Sequence, residues 1–130
     1  MKVIDPAGWP RGAGYSHGVA AAGTLVFVSG QIGWDDGQQL VGDDLPGQAK
    51  AALSNVLTVV AAAGGRPDDI VRMTWYVVDK RDYVAKRGAI GEVYRAVMGK
   101  HFPSMSVVEV SGLVEDGALV EIEATAVLPS

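Results

Sequence analysis

Residues 102–126 read FPSMSVVEVSGLVEDGALVEIEATA. Val120, Ile122, Ala124 and Ala126 alternate with Glu121, Glu123 and Thr125, the period of two that belongs to a strand with one apolar and one polar face. From about Met105 to Val110 the chain is rich in Val, the mark of a second strand. Glu115-Asp116-Gly117 between them has turn chemistry, so the stretch reads as two strands joined by a short turn. Two acidic side chains then project from one face of a strand whose other face is core. Such carboxylates are either a solvated face or the lining of a site, and the alternation leaves both readings open.

Outward from this stretch, 130 residues make a single domain, 1–130, long enough to bury a core. An apolar fraction of 48% with mixed charges fits a folded globular chain. The net charge is −4, with no basic run or basic–aromatic stripe, so no nucleic-acid partner is expected. Absence of cysteine excludes disulfides and thiolate chemistry. The only two histidines, His17 and His101, have no metal-ligand spacing, and no metal site is expected. The opening MKVIDPAGWP lacks the apolar segment of a signal peptide, and no apolar run approaches the ~20 residues of a membrane span. The expectation is a soluble cytoplasmic protein without membrane contact.

Taken in order, the chain offers a short strand at Lys2–Ile4, a Pro- and Gly-rich loop, a strand over Tyr15–Ala20, and a buried strand over Leu25–Gly30. A polar loop or loose hairpin, Gln31–Gly42, holds Trp34. Asp44 is the expected N-cap of a helix with Pro46 in its first turn. Ala49, Ala52, Leu53, Val56, Leu57, Val60 and Ala63 recur at helical spacing, and Gly64-Gly65 with Pro67 end the run. DIVRMTWYVV at 69–78 is a strand, with Trp75 in the core. Asp82 is the expected cap of a second helix running to about Met98, with Ile90, Val93, Tyr94 and Val97 as its apolar stripe.

Two helices cannot cover both faces of a five- or six-stranded sheet, so they pack on one. The other face is expected to carry Glu121, Glu123, Thr125 and Glu109, with apolar groups such as Val107 and Leu119, a mixture suited to another subunit.

In their order and spacing, these residues resemble the Rid proteins (YjgF/RidA), small enamine and imine deaminases. The matching pieces are Tyr15-Ser16-His17-Gly18-Val19, LVFVSGQ at 25–31, Gly47-Gln48-Ala49, AAGG at 62–65 before Asp68-Asp69-Ile70-Val71, Glu92-Val93-Tyr94, Phe102-Pro103, VVEV at 107–110 and VEIEA at 120–124. The resemblance implies an α+β, chorismate-mutase-like fold: a mixed five- to six-stranded sheet with two helices on one face, three subunits forming a central trimeric barrel with clefts between them. It implies hydrolysis of reactive imines without a cofactor, with a homotrimer and a small-molecule ligand as the partners.

Carried over by position, the family's water-positioning Glu is Glu121, its N-terminal Tyr is Tyr15, and the floor of the site is Ser29-Gly30-Gln31. The family's carboxylate-binding Arg, in Pro-x-Arg-Ser, has no counterpart. Here the segment is Pro103-Ser104-Met105-Ser106, which puts Met105 and Ser106 in the substrate-binding set. Methionine gives an adaptable apolar surface where a guanidinium would make a bidentate, charge-assisted pair. The implied substrate is therefore a small imine, enamine or related metabolite other than the usual 2-aminoacrylate type, unless Arg11, His17, Lys100 or His101 brings charge to the cleft.

Each position also has an ordinary structural reading. Glu121 can be a solvated or subunit-paired carboxylate, Tyr15 an interface residue, Met105 plain core and Glu123 structural. On that reading the protein is a non-catalytic small-molecule-binding homotrimer. Ribonuclease, a label also attached to the family, is disfavoured by the acidic balance.

Overall fold

Six strands and three α-helices follow one another in the computed structural model, which describes residues 1–130. They are β1 (Lys2–Ile4), β2 (Gly18–Ala20), β3 (Thr24–Ile32), α1 (Leu45–Ala62), β4 (Ile70–Val77), α2 (Lys80–Ala85), α3 (Arg87–Met98), β5 (Ser104–Glu109) and β6 (Val120–Leu128). The strands do not form one sheet of five or six. β1 and β2 make an antiparallel pair, and the other four form a mixed sheet in the order β3-β6-β4-β5. No helix is long and apolar enough to cross a membrane.

The expected hairpin of the last two strands is absent. β4 lies between them, antiparallel to β6 and parallel to β5. β4 buries Ile70, Met73, Trp75 and Val77, and a strand with that much apolar surface gains most at the centre of a sheet. The α2–α3 crossover brings β5 alongside it in parallel. Residues 110–119 are then a long link across the end of β4, held by Val110 N–H to Val77 O at 2.9 Å and Val78 N–H to Leu119 O at 3.2 Å. The predicted turn survives within it: Ala118 N–H donates to Glu115 O at 3.2 Å and Gly117 has φ +86°.

Helix α1 begins as its sequence requires. Asp44 is extended and its carboxylate accepts from Gly47 N–H, with Pro46 in the first turn. Its stripe of Leu45, Ala49, Ala52, Leu53, Val56 and Val60 is fully buried against the sheet. The second helical region is broken in two. Asp79, not Asp82, is the cap and accepts from Arg81 N–H and Asp82 N–H. Asp82 stands inside the first turn, where it favours the positive end of the helix dipole and pairs with Lys86 Nζ at 3.0 Å. At Lys86 the backbone leaves helical geometry (φ −105°, ψ +18°) before α3 starts. From α3, Ile90, Tyr94 and Met98 enter the core, and Val93 and Val97 pack at its edge.

Alternation settles the two faces of the sheet. Val120, Ile122, Ala124 and Ala126 of β6 face the helices, so Glu121, Glu123 and Thr125 face away. In the β4–β5 register Trp75 opposes Val107 and Met73 opposes Met105. Val107 and Met105 therefore lie on the helix side, packed against the core, as does Leu119. The expected places of Val107 and Leu119 on the open face are thus corrected. Glu109, opposite buried Val77, also leaves that face, and its Oε2 accepts from Lys80 N–H at 2.9 Å at the start of α2. The open face carries instead exposed Leu25, Phe27 and Val108.

Candidate functional site

Glu121 stands on the open face of β6, half-buried, with no hydrogen-bond or ionic partner within the chain. The floor beneath it is an irregularity in β3. Val28 opposes Ala124 and Gln31 opposes Ile122, so β3 holds one extra residue between these pairs. The bulge contains Ser29 and Gly30, and Gln31 Nε2 donates to Ser29 O at 3.2 Å. A Cβ built on Gly30 would meet Glu121 Cδ at 2.7 Å. The carboxylate thus lies directly over the glycine, and Glu121, Ser29, Gly30 and Gln31 form one constellation.

Glu123, two residues on, is engaged locally: Tyr76 Oη donates to its Oε1 at 3.1 Å. That bond, together with the negative charge of Glu123, raises the pKa of the Tyr76 phenol above its ordinary value.

Met105 lies on the opposite side of the sheet, at a pocket of ≈ 310 Å³ between β5 and α3. Trp75, Tyr83, Tyr94 and Phe102 supply aromatic walls, and Arg87 and Arg95 line it as well. Tyr94 and Phe102 stack at 5.4 Å, and Tyr94 Oη donates to His101 O at 2.6 Å. Burial raises the pKa of Tyr94 well above the ordinary phenol value. Burial raises that of Tyr83 too, against the opposing positive charge of Arg87.

Ser106 does not share this pocket. Consecutive strand residues face opposite sides, and Ser106 lies on the open face beside Thr74. There Tyr15, Ser16, His17, Arg72, Ser104 and Ser106 surround a hollow of ≈ 200 Å³, bordered also by Met73 and Met105. The expected strand at 15–20 is shorter, Gly18–Ala20. Tyr15 and Ser16 lie outside it because Ser16 is bound to the entrance of β5: its N–H donates to Pro103 O and its hydroxyl to Phe102 O. His17 clasps the N-terminal loop, with Nε2 2.8 Å from Pro10 O and its ring edge-on to Trp9 and Tyr15.

The comparisons with known proteins agree with one another. Residues 10–128 match the family model described as Endoribonuclease L-PSP. The chain is 38% identical, over 97% of its length and 97% of the relative's, to 2-iminobutanoate/2-iminopropanoate deaminase of Salmonella typhimurium. It is 33% identical to the human protein of the same name, over 97% of this chain and 89% of that one. YyfB of Yersinia pestis, described as a member of the conserved Rid protein family, superposes with a TM-score of 0.87 at 33% identity, covering 98% of each chain. This chain belongs to the Rid family. Escherichia coli TdcF, solved with bound serine, has the same fold at a TM-score of 0.70 and 34% identity, over 98% of this chain and 99% of that one.

In one copy of this Rid protein the expected site residues fall into separate groups. Glu121 with Ser29–Gln31 is on the open face, Tyr15 and Ser106 are at the β5 entrance, and Met105, though it borders their hollow, chiefly lines the pocket on the helix side. β6 and β5 are two strand spacings apart, about 10 Å, so Glu121 and Met105 of one chain do not converge. Of the other candidates for extra charge, His17 lines the hollow with Tyr15 and Ser106 while its Nε2 meets Pro10 O, and the remaining three are engaged or remote. Arg11 pairs with Asp5 at 3.5 Å, His101 Nε2 lies 2.6 Å from Ile70 O, and Lys100 is exposed in the turn after α3. The cations that do reach the Met105 pocket, Arg87 and Arg95, did not emerge from the sequence. Their spacing with Gly91 (i, i+4, i+8) was visible as one helical stripe, but nothing in it showed that the stripe borders β5.

Proposed function

We propose that this Rid protein is an imine deaminase working as a homotrimer, each cleft completed by Glu121 of one subunit and Met105 of the next. The observation that carries the reading is the Glu121 carboxylate, half-buried over Gly30 and uncommitted to any partner in its own chain. Exposed Phe27 and Leu25 on the same face favour its coverage by another subunit. The deaminase names of the Salmonella and human relatives and the serine bound in TdcF support a small amino-acid-derived ligand.

In the proposed reaction Glu121 accepts a proton from a water whose oxygen adds to the imine carbon. That proton passes to nitrogen to give the neutral carbinolamine. Its hydroxyl proton then moves, through the same carboxylate, to the amine as the C=O bond forms and the C–N bond breaks, so a carbonyl compound and ammonia leave. Tyr15 closes over the ligand, Ser106 lines the approach, and the Ser29–Gln31 bulge shapes the floor, so that positioning supplies most of the catalysis. No cofactor enters this scheme. Met105 shifts the substrate away from the 2-aminoacrylate type because it cannot make the bidentate carboxylate pair. RNA fits poorly on a face presenting Glu121 and Glu123 in a chain of net charge −4.

The test couples sedimentation with imine hydrolysis, the imines being generated in situ by an amino-acid oxidase. A trimer whose ammonia release is abolished by Glu121→Gln supports the reading. A monomer, or a Glu121→Gln variant with full turnover, overturns it. Ligand binding without turnover in the wild type identifies a non-catalytic binder instead.

A further inference from the structure

We propose that Arg87 and Arg95 form the carboxylate anchor of the Met105 pocket, and that its ligand is a 2-imino acid with an aromatic side chain. The imine rests on the deaminase reading above; the carboxylate and the aromatic ring rest on the pocket itself.

Three observations meet there. First, Arg87, Gly91 and Arg95 stand four residues apart on α3 and all line the pocket, so they form one stripe along it. The glycine between the two arginines leaves room for a guanidinium: Arg95 Nη1 is 3.3 Å from a Cβ built on Gly91. A larger residue at 91 would displace it. Second, neither arginine has an ionic partner. The ion pairs of the chain are Arg11–Asp5 and Lys86–Asp82. Arg87 lies near enough to the Tyr83 hydroxyl to oppose the effect of burial on it. Two guanidiniums without carboxylates beside one pocket match a ligand that brings a carboxylate.

Third, the remaining wall is aromatic and apolar. Trp75, Tyr94 and Phe102 with Ile90 and Met105 give flat surfaces against which a ring stacks. A volume of ≈ 310 Å³ is at the low end for small-molecule sites, suited to one ring and a short acid tail. The same wall contains the chain's buried side-chain polar atom without a hydrogen-bond partner, Trp75 Nε1. The small imines of alanine or aminobutyrate would leave most of this surface untouched. Met105 then belongs to the design of the pocket: an arginine there would bring a third cation against the aromatic wall.

The test is calorimetric and needs no turnover. Phenylpyruvate, the 2-oxo product of such an imine, is titrated into wild type, into an Arg87→Gln/Arg95→Gln double variant and into Lys50→Gln as a charge control. Pyruvate and benzyl methyl ketone are titrated into wild type. Both arginines and Lys50 are exposed, so the variants retain the fold. The expected result is phenylpyruvate binding at least about tenfold tighter than pyruvate or the uncharged ketone, weakened about tenfold or more in the double variant. Lys50→Gln should bind as wild type does. Equal affinity in wild type and double variant, equal affinity for the ketone, or no phenylpyruvate binding overturns the proposal.

The two readings fail separately. Arginine-dependent phenylpyruvate binding without ammonia release from its imine sinks the deaminase and keeps the anchor. Glu121-dependent turnover of small imines with no phenylpyruvate binding does the reverse.

Discussion

The carboxylate of Glu121 occupies the space that a side chain on Gly30 would need, with Cδ 2.7 Å from a Cβ built there. The bulge in β3 and the acid of β6 are therefore one unit, and a methyl group at position 30 must move the more flexible partner. Gly30 is outside the left-handed backbone region, so alanine is tolerated by the main chain, and the far end of Glu121 swings aside at little cost. Gly30→Ala is expected to melt within a few degrees of wild type by circular dichroism, while kcat for imine hydrolysis falls about 100-fold. Activity close to wild type would remove Glu121 from the chemistry.

Met105→Arg places a guanidinium on the pocket side of β5. A bidentate pair with a substrate carboxylate is worth about 1.5–3 kcal/mol when desolvated. For 2-iminopropanoate this is expected to raise kcat/KM by about 10- to 100-fold, read in the oxidase-coupled assay. No gain on that substrate would count against Met105 lying in the reacting cleft.

Gln48 is the buried polar side chain of the core, fully enclosed. Its Nε2 donates to Gly42 O and Gly117 O at 2.8 and 3.0 Å, and its Oε1 accepts from Leu119 N–H at 2.8 Å. It thereby fixes the entry to β6 two residues before Glu121. Gln48→Leu keeps the volume and leaves those backbone groups unpaired, at a cost of about 2–4 kcal/mol. Urea denaturation should show the midpoint falling with little change in slope. A variant as stable as wild type would show that the groups find water instead.

Alkaline pH offers a separate check on the α3 pocket. The folded-state pKa of Tyr94 is raised by burial, and that of Tyr83 moves the same way. For a raised pKa the stabilising contribution is complete below the unfolded value, about 10, and is lost as pH climbs through the folded value. Stability should be flat across pH 8–9 and fall from about pH 10 upward. Tyr94→Phe should cost about 1–2 kcal/mol at pH 7, because His101 O loses its donor, and should flatten the alkaline decline. An unchanged decline in that variant would assign it to other groups.

Much of the architecture was legible because it is local. The stripe from Ala49 to Val60, the Asp44 cap, the apolar alternation of β6 and the turn at Gly117 each follow from residues a few positions apart. The misreadings were of pairing and facing. The last two strands looked like a hairpin because they are consecutive, yet β4 separates them. Val107 and Glu109 lie away from the open face that local pattern suggests for them, because the face of an edge strand is fixed by its register with a neighbour, here Trp75 and Val77.

The sequence by itself determined most of the elements and the family, and it nominated Glu121, Tyr15, Ser29–Gln31 and Met105 as the residues of the proposed site. Short-range periodicity and residue chemistry are enough for that. Tertiary structure alone decided which of them can meet. Side chains alternate across a pleated sheet, so Glu121 and Met105 stand on opposite faces, two strands apart. Packing α3 against that same sheet brought Arg87 and Arg95 to the pocket beside Met105, a juxtaposition set by contacts distant in sequence that no local pattern encodes.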